Sequence, residues 1–409
     1  MTTTMPRITI IGAGPAGLML AGILHHNNIP YAIYERDTSA VAHTQGGTVD
    51  IHEYSGQQAL DAAGLLDDSG KPQTETETEI RSEFIKGRPE IDRPVLKDLL
   101  IASLPEAIYW GSKVASITPV ANSKQWTLEL DDGSHPAPFD LVVGADGAWP
   151  RTRALLTEQQ PVYSGITALD VWLHGVDEAA PDVPKFVGPG NCFLFDKDRA
   201  LLFQWNGQGR EGNARCYACV KTNTPSPPSP AALLGLEDEG PEVDWADARV
   251  REMFVERYFG DWYAEVKRMV LAMAGEPVLR PPYMLPVGLT WESRPGVTLV
   301  GDSAHLMTPF AGVGVNVAMM DALELARGIV DCIKTRRADR EGLEVMLRQD
   351  EEGMFARSGK EAAKTEAAVH LQFREGGAEK MISIMQNAGS QPEDLVFESE
   401  MIHFSTPKA

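Results

Sequence analysis

Cysteine is scarce: the 409 residues hold four, Cys192, Cys216, Cys219 and Cys332. So few in so long a chain exclude a disulfide framework. Cys216 and Cys219 form a CxxC, but no second pair of cysteines or histidines stands at zinc spacing. In the run RCYACVK, two residues three apart point to opposite faces of a strand. No metal site is expected. Positive charge is also short, with 37 Lys and Arg against 58 Asp and Glu and a formal net charge of −21. That balance argues against nucleic acid or an anionic membrane as the main partner. No run reaches the roughly 18 apolar residues of a membrane span. The one long apolar stretch, Ile8–Leu24, is interrupted by Gly12, Gly14, Pro15 and Gly17 and has only Arg7 as a basic start, so it does not read as a secretory leader. A cytoplasmic monomer is the expectation. No internal repeat is visible.

What is present begins with β-α-β over residues 7–36. RITIIG reads as a strand, Gly12-Ala13-Gly14-Pro15-Ala16-Gly17 as a turn, the following apolar run as a helix ending at Asn27-Asn28, and PYAIYER as a second strand. In such a GxGxxG the first glycine makes the tight turn, the second lets a pyrophosphate approach, and the third lets helix and strand pack. Glu35 ends the second strand, where an acid takes ribose hydroxyls and disfavours a 2′-phosphate. The unit predicts a dinucleotide, FAD or NAD rather than NADP.

Further along, Gly46-Gly47-Thr48-Val49-Asp50 reads either as a close approach to a ligand, with Asp50 as a contact, or as a β-hairpin turn. Thr74–Glu83 alternates strictly and carries no chemistry. Arg93 stands at a helix start, with Pro94 at its first turn. The run Phe139–Gly147 is a buried strand ending in Asp146-Gly147, with Arg151 and Arg153 after it. Between 161 and 287 the aromatics Trp172, Phe186, Phe193, Phe195, Phe203, Trp205 and Tyr217 sit in short alternating runs that predict an antiparallel sheet. Arg251–Met273 predicts one helix. Val297–Asn316, VTLVGDSAHLMTPFAGVGVN, runs strand, acid, proline loop, glycine loop, helix. A carboxylate at a strand end bonds sugar hydroxyls, and glycines opening a helix leave free N–H groups beside a flat or anionic ligand. A long helix follows over Arg340–Phe373, with Ala362, Ala363, Ala367 and Val369 near one face. The fold class is therefore α/β, a Rossmann-like domain (1–76, 92–160, 288–345) interrupted by an antiparallel sheet domain (77–91, 161–287) and followed by a bridging C-terminal helix and tail (346–409).

Gly12-x-Gly14-x-x-Gly17, Asp146-Gly147 and Gly301-Asp302 lie at three strand ends. In order and spacing they resemble the class A FAD-dependent monooxygenases of the para-hydroxybenzoate hydroxylase type, and the resemblance covers essentially the whole chain. The segments YERD, GGTVDIHEYSGQQALDAAGLL, GDSAHLMTPFAGVGVN and RSGKEAAKTE look like the tetracycline-inactivating, TetX-like members. The resemblance implies FAD, with NAD(P)H (NADPH by family habit) as reductant and O2 as co-substrate. It places Glu35 and Arg36 at the adenosine end. Gly47, Asp50 and Arg93 fall near the flavin, and Asp146, Gly301 and Asp302 along the cofactor chain. Pro309, Gly312, Val313, Gly314, Val315 and Asn316 border the ring. It puts Asp170, Cys192 and Arg215 where TetX-type enzymes use a Gln, an Arg and a His, and adds Phe203, Pro309, Phe310 and Gly312 as substrate contacts. No catalytic base stands out. The expected activity is hydroxylation of a phenolic or enolic aromatic or polycyclic compound, tetracyclines among the candidates. The alternatives are a hydroxylase of catabolism or secondary metabolism, a flavin dehydrogenase, and a protein that holds FAD or sequesters a drug without turnover. A flavin-dependent halogenase is disfavoured, since the chain lacks a WxW segment.

Overall fold

The computed structural model describes residues 5–42, 47–66, 89–105, 107–188, 190–206, 212–236, 243–273 and 276–387. The chain opens with β1 (Ile8–Ile11), α1 (Pro15–His26) and β2 (Tyr31–Tyr34). Pro15 sits in the first turn of α1, where its missing N–H costs nothing. Asn28, at φ 56°, turns the chain out of the helix in the left-handed conformation asparagine tolerates. Next come β3 (Thr48–Asp50), a π-helical stretch (Glu53–Gln57) running into α2 (Gln58–Ala62), β4 (Glu90–Asp92) and α3 (Arg93–Ala102). β3 pairs antiparallel with β4, so Thr48–Asp50 is a strand and not a hairpin turn, and 90–91 joins β3 rather than the second sheet. Thr74–Glu83 lies outside the described residues. The segment ends with β5 (Ile108–Tyr109), the hairpin β6–β7 (Val114–Pro119, Trp126–Leu130) and β8 (Leu141–Gly144).

The middle of the chain holds β9 (Val162–Tyr163), β10 (Ile166–Leu173), α4 (Val176–Ala179), α5 (Val183–Val187), β11 (Cys192–Asp196), β12 (Arg199–Asn206) and β13 (Asn213–Lys221). Helices α6 (Pro230–Leu234), α7 (Ala248–Phe259) and α8 (Ala264–Leu271) and strands β14 (Val278–Arg280) and β15 (Tyr283–Met284) follow. An antiparallel sheet forms in the order β11-β12-β13-β10-β14. One face, carrying Leu169, Val171, Phe203 and Cys216, buries against the helices. The other, with Ala168, Ala200 and Cys219, meets Phe310 and Phe373 from the end of the chain. The two cysteines of the CxxC thus lie in different cores, as the strand period requires. The single helix expected over 251–273 is two, α7 and α8. Between them Asp261 turns out to pair with Arg199, whose guanidinium also lies over the Trp262 ring. Phe186 is not in the sheet: it stands on the short helix α5 and is exposed.

The last part returns to the first. β16 (Val297–Leu299) completes an all-parallel sheet ordered β16-β8-β1-β2-β5. Strands β1 and β8 are buried at every position, the mark of a parallel sheet covered on both faces. α1, α3 and the long α10 (Gly314–Lys334) cover one face, and the β6–β7 hairpin covers the other. Between β16 and α10 lie a short helix, α9 (Asp302–His305), and a 3₁₀ turn (Pro309–Ala311). α11 (Arg340–Gln372) and α12 (Gly377–Asn387) finish the described chain. The buried face of α11 runs through Ser358, Ala362, Thr365 and Ala368 rather than Ala363, which is exposed. Its end reaches the second sheet: Phe373 accepts from Asp198 N–H at 3.1 Å, and its ring packs edge-on against Phe310.

α11 also carries a pH-sensitive group. Burial, then the negative charge of Asp321 with those of Glu351 and Glu324, outweighs the Arg357 charge and pushes Asp350 up to about 7. The folded chain then holds this proton more tightly than the unfolded one, so stability falls as pH rises from about 4 to about 7 and is flat beyond. Asp350→Asn is expected to remove that slope. Its melting temperature should exceed the parent's by about 4–5 °C near pH 8 and match it near pH 4, read by circular dichroism melts across the range.

Candidate active site

Three turns converge at the carboxyl ends of β1, β8 and β16, where open α/β sheets bind ligands. The first follows β1. Gly12 has φ +106°, and a Cβ there would lie 2.3 Å from the Ala145 carbonyl oxygen; one on Gly17 would lie 2.2 Å from the Gly12 oxygen. Both glycines are therefore demanded by packing. Gly14 is different: nothing lies within 4 Å of its Cβ position. It caps α1, whose first N–H groups open into that space. Glu35, buried at the end of β2, accepts from Ala13 N–H at 2.6 Å and Asp37 N–H at 2.8 Å, tying the glycine turn to β2. Arg36 is exposed.

The second turn carries Asp302. Gly301 has φ +63° and gives its N–H to the buried Asp321 Oδ2 at 3.1 Å. Arg153, 2 % exposed, wraps the far side: Nη2 donates to the Asp302 carbonyl at 2.9 Å and Nε to that of Ser303 at 2.8 Å. Ser303 Oγ donates to the Gly144 carbonyl. The Asp302 side chain itself is open to solvent. Protein nonetheless crowds around it, and that desolvation raises its carboxyl against the pull of His305, Arg93 and Arg153. Its carboxylate is thus accessible yet closely surrounded. Asp146 behaves otherwise. Its carboxylate accepts from Arg151 N–H at 2.8 Å, Thr152 N–H at 3.3 Å and Thr152 Oγ1 at 2.5 Å, so it is committed to its own loop. Burial raises it, and those hydrogen bonds oppose the rise.

The third turn is the glycine loop. The 3₁₀ turn buries Phe310 and exposes Pro309, and Gly312 (φ +68°), Val313 and Gly314 lead into α10. Cβ atoms on Gly312 and Gly314 would meet nothing within 4 Å. Val315 is partly buried behind them. Asn316, 2 % exposed, faces inward: Nδ2 donates to the Asp50 carbonyl at 2.7 Å and Oδ1 accepts from His52 N–H at 2.8 Å. It fastens the Asp50 segment to the glycine loop. Arg93, exposed at the start of α3, gives its N–H to the Gly47 carbonyl at 3.3 Å.

Facing the loop is the second sheet. Gln204 Nε2 donates to Thr48 Oγ1 at 3.2 Å, joining the two halves. The charge of Arg93 acts on both Asp302 and Tyr217, so Arg93 lies within electrostatic reach of each. Asp170 and Arg215, each almost fully buried, form a bidentate pair at 2.7 and 2.5 Å. Arg280 closes on the same carboxylate. The Arg215 guanidinium lies between the rings of Trp172 and Tyr217, and among the described residues its Nη1 has no hydrogen-bond partner. Phe203 and Cys192 require a correction. They oppose one another in register and both pack toward the helices, with Phe203 fully buried there. The loop-facing residue is the next one, Gln204, because alternate strand residues take opposite faces.

A family model described as FAD binding domain matches residues 5–94 and 291–346. Monooxygenase asqM of Emericella nidulans is 32% identical over 371 residues, covering 78% of this chain and 83% of that protein. The chain belongs to the FAD-binding monooxygenases. Monooxygenase penA of Penicillium thymicola is 29% identical over 432 residues, covering 93% and 98%. Among solved structures, a salicylate hydroxylase in its substrate complex matches with a TM-score of 0.68 at 18% identity, covering 97% and 99%. Tetracycline destructase Tet(55) matches at 0.61 and 16%, covering 98% and 100%. At those identities the two structures speak to the fold alone, so the likeness does not single out tetracyclines. No described helix is long and apolar enough to cross a membrane.

Several groups that shape this monooxygenase's site carry no motif of their own. Arg153 stands after Asp146-Gly147 in the sequence, yet its target is the Asp302 turn some 150 residues on. Asp321, Gln204 and Tyr217 are ordinary members of a helix and two strands, and His305 ends α9 within the GDSAH run. The local signal is the histidine three residues after Asp302; its burial shows only in the fold.

Proposed function

We propose that this monooxygenase uses NAD(P)H and O2 to hydroxylate a phenolic or enolic aromatic compound seated between the glycine loop and the β10–β13 face. The residues fit FAD: the free space at Gly14, Gly312 and Gly314 is space the cofactor needs and a side chain would fill. The N-terminus of α1 would take the pyrophosphate, Glu35 the adenosine ribose, and Asp302 the ribityl side. Gly312–Asn316 would run along the ring. When bound, FAD takes a hydride from NAD(P)H and activates O2.

The chain's own contribution is placement and electrostatics. The positive end of α10 favours negative charge beside Gly314. Phe310 and Phe373 shut water out at one side of the loop. Burial raises the Tyr217 phenol above its ordinary value against the neighbouring Arg215 charge, so it remains an O–H donor at neutral pH. The observation that carries the substrate class is Arg215 Nη1, a buried donor without a partner beside that phenol. It suits an oxygen on the substrate, as a phenol or enol would offer. Asp170 occupies the rest of Arg215, which leaves less for the polar edge of a tetracycline and favours the broader aromatic reading.

The test is oxygen-dependent NADPH oxidation with simple phenols, polycyclic polyketides and tetracyclines, products read by mass. A panel member should stimulate oxidation at least about tenfold and gain one oxygen atom. Stoichiometric peroxide with every compound unchanged would rule the reading out.

A further inference from the structure

The Asp302 turn is held from behind by a buried cluster that no motif announces. Asp321 lies about two turns into α10 and is 1 % exposed. Its Oδ2 accepts twice, from Gly301 N–H at 3.1 Å and from His305 Nε2 at 2.5 Å. From α11, Arg357 Nη2 lies 3.5 Å from the other oxygen, Oδ1. His305 is itself buried. Burial works to lower its pKa; the charge and hydrogen bond of Asp321, with the charge of Asp302, outweigh this and raise it. The imidazolium form therefore matches the carboxylate it touches.

Gly301 makes this arrangement matter. It holds a left-handed backbone between β16 and α9, and a Cβ there would lie 3.2 Å from Ala16 and from Ala318. The ladder with β8 ends one residue earlier, where Val300 N–H donates to the Gly144 carbonyl. Among the described residues the Gly301 N–H has one partner, Asp321, and the Gly301 conformation decides where the next side chain, Asp302, points. The same α10 that carries Asp321 begins at Gly314, so one rigid helix sets both the glycine loop and the Asp302 turn.

We propose that Asp321, oriented by His305, is the positioning residue that fixes the Gly301–Asp302 turn, so that the hold of Asp302 on FAD depends on Asp321. The proposal rests on Asp302 contacting FAD, and its test separates the two. Holoenzyme is diluted and released flavin is followed by fluorescence for the parent, Asp302→Ala, Asp321→Asn and the double variant. Each single change should raise the FAD dissociation constant about tenfold or more, the scale of one charged hydrogen bond. The double variant should be no more than about threefold weaker than the weaker single, because two groups acting through one contact do not add. A merely structural Asp321 would give multiplied losses, and that result overturns the proposal. So does Asp321→Asn retaining FAD like the parent while Asp302→Ala loses it. If Asp302→Ala retains FAD as the parent does, the reading of Asp302 fails and the proposal falls with it. Should Asp321→Asn not fold, His305→Gln reads the link from its outer end: retention weakened several-fold supports the proposal, and unchanged retention overturns it.

Discussion

Gly14→Val yields a folded protein without flavin. The Gly14 backbone, at φ −81° and ψ 177°, is one any residue adopts, and its Cβ position is clear of every atom within 4 Å. The fold loses only the small difference between glycine and valine at a helix cap, about 1 kcal/mol. The cofactor loses much more. Branched carbons would occupy the space through which the first N–H groups of α1 reach a pyrophosphate, each such charged hydrogen bond being worth about 1.5–3 kcal/mol. Two lost contacts lower FAD affinity by about a hundredfold or more. Gly12→Ala, two residues away, behaves oppositely: its methyl would overlap the Ala145 carbonyl at a positive φ, so the domain itself fails to form. The absorbance ratio of flavin to protein, taken with a circular dichroism melt, separates the two cases. A yellow Gly14→Val protein would show that the cofactor does not pass this turn.

The second large effect is in the other sheet. Asp170→Ala leaves Arg215 charged and buried with neither of its carboxylate bonds, and removes a partner of Arg280. Stranding one member of a buried pair costs about 3–5 kcal/mol. Replacing both members by apolar residues, Asp170→Leu with Arg215→Met, should restore most of that stability, since the pair's attraction roughly offsets the cost of desolvating it. Urea titrations of the parent, the single and the double variant give the comparison. The double variant should remain yellow while losing turnover of any substrate whose oxygen met Arg215. Undiminished turnover would remove Arg215 from the substrate site.

What could be read from the sequence was what its neighbours in the chain determine. The β-α-β unit announces itself because Gly12, Gly17, Pro15 and Asn28 answer local demands of turn, packing and termination. The strand endings at Asp146 and Asp302 show in the same way. Partners chosen across space do not. The break between α7 and α8 interrupts an apolar period that continues through it, and there Asp261 pairs with Arg199, about sixty residues away. Strand alternation shows that Phe203 and Gln204 face opposite ways, but not which face meets the glycine loop; that is fixed when Gln204 meets Thr48. Asp146 closes its strand as the others do, and only the structure shows that Arg151 and Thr152 hold its carboxylate from within its own loop. Asp321 and Gly301 stand twenty residues apart with a helix between them, and no spacing rule marks the bond they make.

The order of strands in the parallel sheet has a consequence for how the protein is made. β1 leaves the ribosome first, but its inner neighbour β8 begins at Leu141, and β16, which flanks β8, only at Val297. The antiparallel sheet, from Ile166 to Arg280, falls wholly inside that interval and has all its strands in hand before β16 exists. Its contacts are the more local, and local contacts form sooner. The cleft at the ends of β1, β8 and β16 has no floor until Asp302 is added, no far wall until α10 is complete, and no cover on its sheet side until Phe373 emerges. All strands of the antiparallel sheet are therefore synthesised before the three turns of the cleft are complete.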